Sequence, residues 1–127
     1  MADFFTEAYF NDLLAALNAS PEFKDKTARM NTTVLMVNKD KDASFLLNIV
    51  EGVASGEKGN RESEAQFTFI GDQETWAANH RGEAPMEKLV MTGKLKFKGS
   101  IPKIMGMRAQ LTIIDNVAQG VKADDLA

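Results

Sequence analysis

The sequence predicts an α+β fold on three observations. Large apolar residues alternate with polar or smaller ones over Ala43–Gly52, Ala65–Ile70 and Lys94–Lys98, the period-two signature of strands with one buried face. Near both ends of the chain the spacing changes to three and four: Phe5, Tyr9, Leu13 and Ala16 form one stripe, and Ile104, Met107, Leu111, Ile114 and Ala118 another. The order is two helices, three strands, two short helices, a strand and a last helix. Strands joined by turns are expected to pair antiparallel, with helices on one face of the sheet.

Each element has its own local warrant. Asp3 or Thr6 caps a first helix ending near Leu17. Ser20-Pro21 opens a short polar helix to about Ala28, with proline where the missing N–H costs nothing. Asn31–Val37 is threonine- and valine-rich and closes on the turn Asn38-Lys39-Asp40. In the next two strands Phe45, Leu47 and Ile49, then Phe67 and Phe69, fall on inward positions. Between them, Gly52–Glu64 has three glycines and few apolar residues, and reads as a solvated hairpin tip. Gly71-Asp72 caps a helix through Trp76 that stops at Gly82, and Pro85 starts another carrying Met86, Leu89 and Val90. The strand Lys94–Lys98 is bracketed by Gly93 and Gly99, with its lysines on the wet face. Ser100 then caps one long apolar helix, and a frayed tail is expected from Asp124.

Composition narrows the function. At 127 residues the chain fits one domain, able to bury a core. A net charge of −3 with interspersed signs offers no basic stripe for nucleic acid. The absence of cysteine removes disulfides, thiolate metal sites and cysteine nucleophiles. No apolar run approaches the ~18 residues of a membrane span. Met1-Ala2-Asp3-Phe4-Phe5 has no basic segment followed by an apolar one, and Asp124-Asp125-Leu126-Ala127 is no peroxisomal ending, so a cytoplasmic location is expected.

Residues that carry catalysis are scarce. His80, the only histidine, reads as a surface or C-terminal helix residue, the latter favoured by the helix dipole. Asp72 and Glu74 suffice as N-cap and first-turn acid. Asp115 is expected on the polar side of its helix with Arg108 and Thr112; buried, it would have a raised pKa and could act as a base. No spacing recommends a metal site or a cofactor. Lys94, Lys96 and Lys98 read as a solvated strand face, allowing at most transient contact with a membrane surface. The remaining inventory is apolar: Phe67, Phe69, Leu95 and Phe97 opposite Met105 and Met107, with Trp76, Met86, Leu89 and Val90 between. Its plain reading is core; a methionine-rich wall also suits a flexible apolar guest.

The segments Ala65-Gln66-Phe67-Thr68-Phe69 and Leu89-Val90-Met91-Thr92-Gly93-Lys94-Leu95-Lys96-Phe97-Lys98-Gly99, with the acid-capped helix of Trp76 between them, resemble the sterol carrier protein type two (sterol-binding) domain family. The resemblance runs from about Phe45 to Val121. It implies a twisted, mainly antiparallel five-stranded sheet with helices on one face enclosing an apolar tunnel; the fifth strand would fall within Gly52–Glu64. It further implies binding of sterols, fatty acids, fatty acyl-CoAs or phospholipids without chemical change, by a stand-alone bacterial-type member. Phe67, Phe69, Leu89, Phe97, Ile101, Ile104, Met105 and Leu111 become expected tunnel-lining positions, joined from the apolar inventory by Trp76, Met86 and Met107. Ser100-Ile101-Pro102-Lys103-Ile104-Met105-Gly106-Met107 departs from the family pattern, and Gly106 loosens the helix start.

The expectation is therefore a non-enzymatic lipid carrier, with Arg108 or Gln110 as a polar group at the tunnel mouth. Its competitors are a small pocket enzyme using Asp115 or His80, and an accessory partner-binding domain whose pocket is filled by its own side chains. Oligomeric state is left open by the sequence.

Overall fold

A computed structural model describes residues 2–124 and has the expected α+β architecture. The order is β1 (Ala2–Asp3), α1 (Glu7–Ala19), α2 (Pro21–Lys26), β2 (Asn31–Asn38), β3 (Ala43–Val50), β4 (Val53–Lys58), β5 (Phe67–Gly71), α3 (Gln73–His80), α4 (Met86–Met91), β6 (Lys96–Lys98), α5 (Ile101–Met105), α6 (Arg108–Gln119) and β7 (Ala123–Asp124). Local chemistry sets the helix starts. Thr6, Ser20, Asp72 and Ser100 each accept a backbone N–H three residues on, and Pro21 and Pro102 occupy first turns.

The main sheet has five strands in the order β4-β3-β2-β5-β6. Three neighbouring pairs are antiparallel, while β2 and β5 run parallel, because β5 returns across the sheet to the far side of β2. The sheet is thus mainly antiparallel, as expected, with one parallel seam. Register builds the core: Phe45, Met36, Phe69 and Phe97 sit opposite one another across four strands, and Leu47, Val34 and Phe67 form a second row. These rows face the helices, where Phe10 of α1 stacks on Phe45 at 4.6 Å.

Several expectations are corrected. The stretch Gly52–Glu64 is no solvated tip: Val53–Lys58 is the fifth strand, where the family resemblance placed it. Asn18 of α1 binds this edge strand, donating to the Ala54 carbonyl and accepting the Ala54 N–H, both at 2.8 Å. The loop after β4 folds back over the outer sheet face, so that Leu35 is buried there. A side-chain carbon at Gly59 would lie 3.2 Å from the Leu35 Cδ1. The lysine strand shortens to Lys96–Lys98, with Lys94, Lys96 and Lys98 exposed.

The last helix is two helices. The chain breaks at Gly106 and Met107, where glycine's low helix propensity coincides with a residue whose ψ of 14° has left the helical range. Asp124 is paired rather than frayed: Ala123 and Asp124 lie parallel to Ala2 and Asp3, and the Phe4 N–H donates to the Asp124 carbonyl at 2.8 Å. Residues 125–127 of the expected tail lie outside the described residues. No described helix is long and apolar enough to cross a membrane.

Candidate functional site

Between the helices and the sheet lies a cavity of about 40 Å³. One part of its wall is apolar and largely aromatic: Phe4, Phe5, Phe10 and Leu13 from the N-terminal segment, Met36 and Phe45 from the sheet, and Trp76. Trp76 is held by its own polar atom, donating from Nε1 to the Val37 carbonyl at 2.8 Å. The rest of the wall contains Tyr9, Asn79, His80 and Asp115 beside Met86, Ile114 and Ala118. The four polar residues there are between 5% and 8% exposed.

These four form two linked pairs. Tyr9 Oη lies 3.0 Å from His80 Nδ1, and the two share one hydrogen bond. Asn79 Nδ2 uses both hydrogens, one on the Ala84 carbonyl at 3.1 Å and one on Asp115 Oδ1 at 3.2 Å. Asp115 Oδ2 accepts the Met86 backbone N–H at 3.1 Å. Burial raises the Asp115 carboxyl above its usual range, against the pull of Met86 and Asn79. Burial also holds the imidazole below its ordinary value and pushes the Tyr9 phenol well above its own.

Two expectations thus reverse. His80 ends α3, where the dipole favours it, but is no surface residue, because the Phe4 ring covers it at 5.2 Å and Tyr9 lies against it. Asp115 is no polar-face acid, because α3 and α4 meet α6 on that side and supply its two donors. Asp72 is the N-cap it was expected to be, its carboxyl lowered by the Thr75 hydrogen bonds.

Of the expected tunnel-lining residues, Trp76 and Met86 reach the cavity wall. Phe67, Phe69, Leu89, Ile104 and Leu111 are buried in the surrounding core, and Phe97 and Met107 are half-buried. Ile101 and Met105 are 55% and 47% exposed, because α5 turns only Ile104 inward. The expected mouth residues instead tie helices together: Arg108 pairs with Glu87 at 2.9 Å, and Gln110 Nε2 donates to the Lys26 carbonyl at 3.1 Å. The N-terminal lining was missed as a site, although Phe5, Tyr9 and Leu13 were visible as one helical stripe.

Phe5 and Phe45, with ring centroids 5.5 Å apart, also line an outer cleft of about 290 Å³ with Thr6, Glu7, Lys41, Ala43, Ser44 and Lys58. They stand between this cleft and the inner cavity. Phe5 has a φ of 60°, a left-handed conformation that a bulky residue rarely adopts. Among the described residues no three His, Asp or Glu side chains gather where a metal could be held.

The fold, a five-stranded sheet backed by helices, is shared by proteins of known structure. A crystal structure of sterol carrier protein 2 superposes with a TM-score of 0.82 at 21% identity, over 94% of this chain and 100% of that one. A conserved hypothetical protein of Thermus thermophilus, described as possibly sterol carrier protein, gives 0.80 at 20% identity, over 100% of this chain and 96% of that one. The fold also matches part of a stereoselective inverting sec-alkylsulfatase from Pseudomonas sp., at 0.55 and 15% identity, over 82% of this chain and 15% of the enzyme. No curated protein matches by sequence. The model of the SCP-2 sterol transfer family matches residues 10–112, and the chain belongs to that family.

Proposed function

We propose that the protein binds a single-chain or sterol-like lipid between its helices and its sheet and releases it unchanged, in the cytoplasm. The observation that carries this reading is the aromatic-walled cavity and its relation to the outer cleft. Two residues, Phe5 and Phe45, separate an interior lined by apolar side chains from a surface opening.

The closed cavity holds little more than one water's share of liquid volume, ~30 Å³, whereas small-molecule pockets run to ~300–1,000 Å³. Lipid uptake therefore parts the layers, with the Phe5–Phe45 pair the shortest way in. Met36 and Met86 on the wall can change rotamer as it opens. Burying a chain contributes about 0.8 kcal/mol per CH₂ before ordering costs.

The non-enzymatic reading is supported by how the candidate groups are occupied. His80 Nδ1 is engaged by the Tyr9 hydroxyl, and each Asp115 oxygen already accepts one hydrogen bond.

Native mass spectrometry of gently purified protein, followed by organic extraction, tests the proposal. A lipid in fixed stoichiometry, exchangeable for a fluorescent fatty-acid analogue, is expected. A clean protein mass with no uptake of that analogue, nor of neutral Nile red, would sink it and favour an accessory domain with a self-filled core.

A further inference from the structure

Hydrogen-bond capacity at the polar end of the cavity is one-sided. Asn79 spends both Nδ2 hydrogens on Ala84 and Asp115, and Tyr9 Oη and His80 Nδ1 are taken up with each other. The amide hydrogens are thus used within the protein. Acceptors remain: each Asp115 oxygen takes one hydrogen bond where a carboxylate oxygen has room for two, and Tyr9 Oη keeps lone pairs.

The side-chain charge is one-sided too. Asp115 is the acid on the cavity wall, and no Lys or Arg lines that wall. A guest group placed here gains by donating a hydrogen bond. An anionic group finds no Lys or Arg to pair with and a carboxyl beside it in a water-poor space.

We infer that Asp115 and Tyr9 form a head-group site, buried at the inner end of the cavity, that selects neutral hydroxyl-bearing lipids over carboxylates of the same chain length. The inference rests on the lipid-binding reading and adds an orientation to it. The hydroxyl lies inward against Asp115, and the chain runs along the aromatic wall toward Phe5 and Phe45.

The test is displacement of Nile red by dodecanol and by dodecanoate at about neutral pH, with wild-type protein and with Asp115→Asn. The variant keeps an acceptor oxygen and adds an amide donor. Wild type is expected to bind the alcohol tighter by roughly tenfold or more, and Asp115→Asn to erase or invert that preference. Tighter binding of dodecanoate to wild type would overturn the assignment, placing the head group in the outer cleft beside Lys41 and Lys58. Equal binding would overturn it as well, as would a preference unchanged in Asp115→Asn. The wild-type comparison stands even if the variant does not fold. Failure of both lipids and of Nile red to bind would overturn the lipid-binding reading itself, and this inference with it.

Discussion

Asp115 on α6 accepts the backbone N–H of Met86 at 3.1 Å, and so supplies from a distance the cap that α4 lacks. The N-cap of α4 is Pro85, whose side chain offers no acceptor. The other Asp115 oxygen holds Asn79 of α3, so one carboxyl fastens three helices. Asp115→Ala strands a buried backbone donor and a buried amide hydrogen, each worth ~1–3 kcal/mol. Urea denaturation should show a loss of about 2–4 kcal/mol for alanine and a smaller one, about 1–3 kcal/mol, for Asp115→Asn, which keeps one of the two acceptors. Equal losses would mean that one acceptor is worth no more than none, and that both oxygens must be in place.

The buried pairs make stability depend on pH in opposite senses. The imidazole of His80 is lowered by burial, so its contribution is present above the ordinary 6.5 and is lost as pH falls through the folded value. The Asp115 carboxyl is raised, so its contribution is present below 3.8 and is lost as pH rises through its folded value. Unfolding between about pH 7 and pH 5 should show wild type weakening on acidification and His80→Gln weakening less. Over the wider range, Asp115→Asn should gain on wild type as pH rises. A His80→Gln profile parallel to wild type would place the acid sensitivity elsewhere.

Strand β4 passes so close to α1 that Gly56 has no room for a side chain. A Cβ there would sit 2.6 Å from the Leu46 carbonyl oxygen and 2.6 Å from Phe10 Cε1. Gly56→Ala should cost roughly 1–3 kcal/mol through overpacking, measured as a lower urea midpoint at unchanged slope. A neutral substitution would show that the Phe10–Phe45 stack moves freely.

The same glycine explains what was hard to read. Period-two alternation located β2, β3 and β5 directly, because their inward residues are large and apolar. Residues 53–58, Val-Ala-Ser-Gly-Glu-Lys, have no such row: Ala54 is their one buried side chain, and Gly56 is small because Phe10 lies on it. The strand is held by partners distant in sequence, β3 on one side and Asn18 on the other, which no local window contains. The site was legible to the same extent. Trp76 and Met86 stood out as large apolar residues on short helices. His80 and Asp115 looked exposed because their burial depends on the crossing of α3, α4 and α6. The resemblance drew attention to residues 67–111, whereas much of the cavity wall comes from the aromatic N-terminal segment.

Helix α5 is the weakest element beside the core. It buries Ile104 and exposes Ile101 and Met105, and Gly106 separates it from α6. Its amides should exchange with deuterium roughly tenfold faster or more than those in the middle of α6, as expected where little apolar surface is buried. Bound lipid should slow that exchange if the layers part on this side. Protection equal to α6 in the lipid-free protein would mark α5 as a fixed part of the core.

Ala118 offers the cleanest way to ask whether the cavity is the lipid's seat. It lines the cavity from α6, is 8% exposed, and has no polar atom in its side chain. Ala118→Val adds two carbons to a space of about 40 Å³, with no charge or hydrogen bond altered. Stability should stay within about 1.5 kcal/mol of wild type, since the added volume meets an existing void and the helix-propensity cost is small. Lipid affinity should fall roughly tenfold or more, because the chain must now displace packed side chains as well as part the layers. Met91→Ala, at a side chain 77% exposed and away from the cavity wall, should leave affinity unchanged. Unaltered binding by folded Ala118→Val would move the lipid out of this cavity and into the cleft beyond Phe5 and Phe45.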